Sequence, residues 1–320
     1  MVRKLIIIFV ALYASLFGLE KCYDYFLKRN MNMKPAYVSQ HSIDARVLFL
    51  GPCEPLWMMD PQIFEGVTGF KAYNLSTVHA SFAENEAMLR LYLSHNKHPE
   101  YVFLYVTTES VDGAFNVFNT YAFASYLDQG WLADLVEEED TLYSRYRFLP
   151  FMKYAYYSDY THFSFLQGVR HAWNKRQEPY FKDGYVPPHD MEWDGRLERF
   201  RAQFPQGRHF NWNLHEVKHL KAIMEMARMN GIKLVLYESP MLNEVKPLIL
   251  NREEIKHKIT TFAKENKVPY WVFDTMQLSN SRNYFFSILN TNKAGSDIFN
   301  KTFSDYFIRE HSVWPRDDVY

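Results

Sequence analysis

Three side chains with nucleophile, base and carboxylate chemistry stand just past short apolar runs. Cys53 follows Val47-Leu48-Phe49-Leu50-Gly51 and Pro52, His79 follows Tyr73-Asn74-Leu75-Ser76, and Glu109 follows the run 101–106. A thiolate attacks acyl carbon, an imidazole takes the thiol proton, and a carboxylate fixes the imidazole's orientation. The set therefore predicts acyl-transfer chemistry with Cys53 as nucleophile, His79 as base and Glu109 as orienting group. Glu54, beside the thiol, is expected to pair with a Lys or Arg or to hold a polar ligand. A second constellation, His215-Glu216-Val217-Lys218-His219, has the outline of a helical zinc-peptidase motif. No third ligand follows at the usual spacing, so a solvated amphipathic face accounts for it more simply. Neither a metal nor another cofactor is expected.

No local pattern makes Cys53, His79 and Glu109 converge, so the fold must. Short β-rich runs bounded by turn signals predict strands at 46–50, 71–75, 101–106, 232–237 and 270–273. Between them, apolar residues at helical spacing (Phe82, Met88, Leu89 and Tyr92; then Leu220, Ile223, Met224 and Ala227) predict helices over 81–95 and 214–229, with further helices at 252–265 and 295–307. Asp60-Pro61 matches an N-cap followed by Pro at the first helical position, and Gly231 a C-terminal stop. This alternation predicts an α/β domain with a five-stranded parallel sheet and helices on both faces. In the flavodoxin-like order 2-1-3-4-5, the second and third strands flank the first, and ligands sit at the strands' carboxyl ends. Cys53, His79 and Glu109 then share one rim.

The ends and the middle read differently. Arg3 and Lys4 precede the uncharged run 5–19, which Glu20 and Lys21 close. Fifteen apolar residues fall short of the roughly 20 of a full span and also fit a signal-peptide core. The cleavage pattern at Ala14-Ser15-Leu16 is poor, and the run continues into an aromatic stretch, 22–28. An uncleaved signal anchor is expected, with its N-terminus cytoplasmic and the remainder outside. The expected organisation is an anchor (1–29), a linker (30–43), an α/β domain (44–310) and a tail (311–320). An aromatic-rich helical insertion, 113–190, interrupts the domain. Its rings, among them Tyr143, Tyr146, Phe148, Tyr154, Tyr160 and Phe163, are expected to pack the insertion or to form a membrane-near surface, with sugar stacking as the sharper alternative. The polar stretch 175–193 closes it. A net charge of −1 and the lack of a basic run argue against nucleic acid as a partner. Cys22 and Cys53, the two cysteines, are expected to remain free.

Five segments in order carry a resemblance: Gly51-Pro52-Cys53; Asp60-Pro61-Gln62-Ile63-Phe64; Asn74-Leu75-Ser76; the strand from Leu234 into Ser239-Pro240; and Leu289-Asn290-Thr291-Asn292-Lys293-Ala294-Gly295. Across roughly 44–310 the chain resembles the SGNH/GDSL hydrolase family. It resembles in particular its membrane-anchored extracytoplasmic branch, which includes proteins of teichoic-acid D-alanylation and exopolysaccharide O-acetylation. The resemblance implies a flavodoxin-like three-layer sandwich, with the insertion over the sheet's active edge. Cys53 stands at the nucleophilic Ser position, and Gly51, Glu54, Asn74 and Ser76 belong to the pocket and oxyanion region. The Asp and His that complete the family's triad fall at Phe285 and Ile288, neither of which accepts a proton. The implied function is cell-envelope polysaccharide modification, as an acyl-ester hydrolase or O-acyltransferase with a rewired Cys nucleophile. The alternative is a pseudoenzyme that binds a cell-surface glycan or acylated polymer, or partners a membrane-bound O-acyltransferase. The implied location is the bacterial cytoplasmic membrane, single-pass, with the soluble part facing the periplasmic or extracellular side.

Overall fold

The computed structural model describes residues 1–114, 116–174, 178–188 and 191–313. They form two compact units. The first comprises 1–42, 94–96 and 118–180; the second comprises 43–93, 97–117 and the chain from 181 on. Along the chain, α1 (Val2–Leu27) and α2 (Lys34–Gln40) open the first unit. The second begins with β1 (Val47–Leu50), α3 (Cys53–Met58), α4 (Pro61–Thr68), β2 (Ala72–Asn74), α5 (Phe82–His95, whose last two residues fall in the first unit), β3 (Tyr101–Tyr105) and α6 (Thr108–Asp112). The first resumes with α7 (Thr120–Phe123), α8 (Gly130–Glu139), α9 (Tyr143–Tyr146), α10 (Met152–Tyr156) and α11 (Ser158–Trp173). The second closes with α12 (Arg196–Gln203), α13 (Leu214–Met229), β4 (Lys233–Glu238), α14 (Arg252–Glu265), β5 (Tyr270–Val272) and α15 (Lys293–Val313).

The five strands form one parallel sheet in the order β2-β1-β3-β4-β5. This is the flavodoxin-like order. Every residue of β1, β2 and β3 is buried, as in sheets covered on both faces. Phe299, Phe303 and Phe307 recur every four residues along α15 and so share one helical stripe. That stripe packs with Phe49, Phe64, Phe103, Trp271 and Phe273. Each fully buried ring contributes about 1.5–3 kcal/mol. Asp60 caps α4, its carboxylate accepting from the Gln62 N–H at 3.0 Å ahead of Pro61 in the first turn.

Three boundaries differ from expectation. The stretch 30–43 is not wholly a linker, because α2 lies within it. Pro35 suits the first turn of a helix, and Ala36 and Val38 are buried, too few apolar positions to register as a period. The insertion is helical, but residues 113–117 and 181–188 belong to the second unit. The closing helix continues to Val313, so the tail predicted from 311 begins as helix; 314–320, like 175–177 and 189–190 of the polar stretch, lie outside the described residues. α1 runs unbroken and is long and apolar enough to cross a membrane. Both cysteines are free.

Candidate functional site

Two neighbouring strands end in the same way. After β1, Gly51 adopts φ 152°, and a Cβ there would lie 2.6 Å from Pro55 Cγ and 2.7 Å from Tyr105 Cβ. Only glycine permits this tight entry into α3. After β3, Thr107 caps α6: its hydroxyl accepts from the Ser110 N–H at 3.3 Å, and Ser110 Oγ accepts from the Thr107 N–H at 2.7 Å. Glu54 and Glu109 thereby become the second residues of α3 and α6. A cavity of about 240 Å³ lies here, and Cys53, Glu54, His79 and Glu109 all line it. Arg196 and Arg199 of α12 line it as well, as do Ile288 and Asn290.

The cavity's electrostatics follow from burial. Cys53 is 5% exposed. Desolvation, aided by the Glu54 charge, pushes its thiol up to about 12, although the His79 N–H at 3.3 Å and the Arg196 charge oppose the rise. The His79 contact to sulfur is made by backbone. Its φ of 57° is left-handed, its carbonyl accepts from the Val117 N–H at 2.7 Å, and the residue is exposed. Burial pushes the Glu54 carboxyl up to about 7, with the Glu109 charge adding to the rise. Burial likewise pushes Glu109 up to about 7, with Glu238 adding and Arg252 opposing. Among the described residues, Glu109 Oε2 and Asn290 Oδ1 are buried without a hydrogen-bond partner. The cavity thus combines a neutral thiol, two carboxyls that titrate near neutrality, an unpaired amide oxygen and two arginines.

The other predicted pocket residues act elsewhere. Gly51, Asn74 and Ser76 are not among the residues lining the cavity. Asn74 is a clamp: its amide donates to the carbonyls of Pro55 (2.7 Å) and Met59 (2.9 Å), and its Oδ1 accepts from the Ser76 N–H at 3.0 Å. The Ser76 N–H expected to face an oxyanion is therefore already engaged. Phe285 is buried in an apolar cluster with Leu197, Phe210 and Leu278, whereas Ile288 lines the cavity. Beside Ile288, Ser287 Oγ accepts from the Asn290 backbone (3.2 Å) and side-chain amide (2.9 Å). Sequence reasoning missed the α12 contribution. Arg196, Arg199 and Gln203 recur at i, i+3 and i+7, a one-face spacing, but the helix follows a polar stretch and carries few apolar residues. Arg196 supplies the cationic field on Glu54, while its Nε pairs with Asp194 at 2.7 Å.

No family model and no curated protein matches the chain. Solved structures do. The chain is similar to a protein described as a lipolytic protein of the G-D-S-L family from Desulfitobacterium hafniense DCB-2, with 11% identity and a TM-score of 0.38, over 81% of this chain and 98% of that one. It is similar to a protein described as an acylhydrolase from Bacteroides fragilis NCTC 9343, with 10% identity and a TM-score of 0.41, over 87% and 94% of the two chains. It is also similar to a GDSL-like lipase from Bacteroides thetaiotaomicron VPI-5482, with 12% identity and a TM-score of 0.39, over 89% and 99%.

The helical His-Glu-x-x-His outline is used structurally within the second unit. Glu216 is buried, and its Oε2 accepts from the Phe82 N–H at 3.0 Å, which satisfies a donor at the start of α5. His219 Nδ1 lies 2.9 Å from Glu86 Oε2, both buried. The carboxylate that a zinc peptidase would use as its general base is therefore committed to a backbone amide.

Proposed function

We propose that this chain is a membrane-anchored SGNH/GDSL-type protein of cell-envelope polysaccharide modification, and that its rim cavity binds an acylated glycan segment without cleaving it through a Ser-His-Asp relay. The carrying observation is the state of Cys53. With its thiol at about 12, about one molecule in 10⁵ is ionised at pH 7. Its contact from position 79 is an amide, and Ile288 stands where the resemblance puts the imidazole. The remaining groups suit recognition. Protonated Glu54 and Glu109 donate to hydroxyl or ester oxygens, Asn290 Oδ1 accepts from a hydroxyl, and Arg196 and Arg199 bind carbonyl or acidic groups. Apolar walls, including Phe200, Phe210 and Ile288, suit an acyl chain or a sugar face. In this reading the chain is held by α1 in the bacterial cytoplasmic membrane, lies outside it, and presents the glycan to a membrane-bound O-acyltransferase.

One observation favours a second reading. Carboxyls poised near neutrality beside a thiol are the setting of general acid–base catalysis, so acyl transfer through Cys53, with His79 and Glu109, is the alternative. One experiment separates the two. The full chain in detergent micelles is mixed with an activated acetyl ester and with an O-acetylated oligosaccharide. Binding measurable by calorimetry, no turnover above background and no acetyl on Cys53 support the binding role. A burst of one equivalent of the ester's alcohol per chain, with the acetyl left on Cys53 as a thioester, that vanishes in both Cys53→Ala and His79→Ala establishes acyl transfer instead.

A further inference from the structure

The first unit shows apolar side chains outward beside α1. Phe148 is 73% exposed, and Leu149 and Met152 are exposed as well. On α11, Phe163 is 64% exposed, with Tyr160 and Leu166 nearby in sequence. A run of this kind is more than the scattered apolar residues of an ordinary surface.

These residues are fixed to α1 at readable heights. The last two turns of α1 are built into the unit. Glu20 accepts from the Phe151 N–H at 2.5 Å, and Lys153 Nζ lies 3.4 Å from Glu20 and 2.9 Å from Asp24. Tyr23 stacks on Phe165 with ring centroids 4.1 Å apart, and its hydroxyl lies 2.8 Å from His162 Nδ1. Gly168 meets the Phe26 carbonyl so closely that a Cβ has no room. The earlier turns, from Val2 to Phe17, present exposed apolar side chains. Phe148 does not stop at the boundary between these two parts. The Tyr13 hydroxyl donates to its carbonyl at 3.4 Å, and Tyr13 lies seven residues before Glu20, about 10 Å along the helix axis. Phe148 therefore stands alongside the apolar portion of α1, whereas His162, at the height of Tyr23, stands beyond it.

We infer that residues 147–152 form an interfacial insertion loop that enters the same bilayer leaflet as α1, the partner being the lipid surface itself. The inference rests on α1 being a membrane anchor. When α1 meets the membrane surface at Glu20 and Lys21, Phe148 and Leu149 reach the boundary of headgroups and acyl chains, where apolar faces of monotopic segments bury about 5–10 Å deep. Arg145, exposed and just before the loop, suits lipid phosphates, and Tyr160 supplies an amphipathic ring for the interface. Contact at both the helix and the loop fixes the tilt of the first unit on the membrane, which a single helix leaves free.

Spin-label depth measurement tests this. Full-length chains carrying Cys22→Ser and one of Phe9→Cys, Leu149→Cys, Phe163→Cys or Lys221→Cys are labelled with a nitroxide. They are reconstituted into vesicles of phosphatidylcholine and phosphatidylglycerol, with mass spectrometry showing that buried Cys53 stays unlabelled. Accessibility to oxygen is compared with accessibility to a water-soluble nickel chelate. The expected depth order is 9, then 149, then 163, with 221 behaving as in water. A label at 149 no deeper than one at 163, with position 9 immersed, overturns the insertion while leaving the anchor standing. Position 9 in water overturns the anchor and the loop together. A label at 149 shielded from both reagents, with spin–spin broadening, shows a second copy covering the patch and also overturns the proposal.

Discussion

Glu54 and Glu109 occupy equivalent places, each the second residue of a short helix that follows one of two hydrogen-bonded parallel strands, and both line one cavity. A helix N-terminus favours the charged form of a carboxyl. Burial wins here, because both carboxyls rise to about 7. The unfolded chain holds such groups near 4.3. Between these values the folded chain binds more protons than the unfolded one, so stability falls as pH rises and is lowest above about 7. Each group costs at most about 4 kcal/mol at alkaline pH. Denaturant midpoints measured from pH 5 to pH 8 are expected to fall for the parent chain and to stay flatter for Glu54→Gln and Glu109→Gln. Stability that rises with pH over this window, or Gln variants that weaken the chain at pH 8, would contradict the assignment.

The thiol of Cys53 makes a kinetic prediction. With its pKa at about 12, alkylation by iodoacetamide at pH 7.5 should run about a thousandfold slower than that of a free cysteine in solution. Adding denaturant should restore an ordinary rate. Peptide mass spectrometry after timed quenching reads the modification at position 53 separately from that at exposed Cys22. A native rate equal to that of the free amino acid would show a thiolate and would return Cys53 to the role of nucleophile.

What could be read from the sequence follows the range of the forces involved. The five strands were legible to within about a residue at each end, since a buried parallel strand needs only a short β-rich run and a following turn. Helices Leu214–Met229 and Arg252–Glu265 were legible because their apolar stripes have full helical period. The approach of Cys53, His79 and Glu109 to one cavity followed from strand order alone. Three things were not legible. The left-handed φ at His79, which turns an amide toward the sulfur, was not legible because histidine, though enriched there, adopts that region too seldom for its presence to signal it. The depth of Glu54 and Glu109 depends on α12 and on the loop around Ile288, both remote in the chain. The duty of Asn74 as a clamp depends on where the carbonyls of Pro55 and Met59 point.

Phe303 is the centre of the aromatic core and its loss should be costly. Its ring meets Phe49, Phe103, Tyr237, Trp271 and Phe273 at centroid distances from 4.9 to 6.1 Å. Phe303→Ala is expected to cost about 3–5 kcal/mol, since rings from four strands cannot collapse into the space together. Phe303→Leu should cost less, about 1–3 kcal/mol. Urea denaturation of the two variants checks the order, and a loss below about 1 kcal/mol for the alanine variant would mean that α15 does not seat on the sheet.

Arg252 joins the ends of β4 and β5 and sets the field behind Glu109. Its Nη2 donates to Glu238 at 2.5 Å and Asp274 at 2.6 Å, and Lys256 adds a contact to Asp274 at 2.7 Å. Arg252, Glu238 and Asp274 are all buried. Removing the guanidinium leaves buried Glu238 without its ion-pair partner and Asp274 with Lys256 alone, so Arg252→Met is expected to cost about 3–5 kcal/mol at pH 7.5. Neutralising the carboxylates as well, in Arg252→Met with Glu238→Gln and Asp274→Asn, should recover much of that loss, because the stranded charges, rather than the missing contacts, carry most of the penalty. The same single substitution removes a positive charge that opposes the rise of Glu109, so the Glu109 carboxyl should titrate higher in the variant, an effect readable by carboxyl-region infrared difference spectra against pH. A triple variant as unstable as the single one would show that Arg252 acts through packing rather than charge.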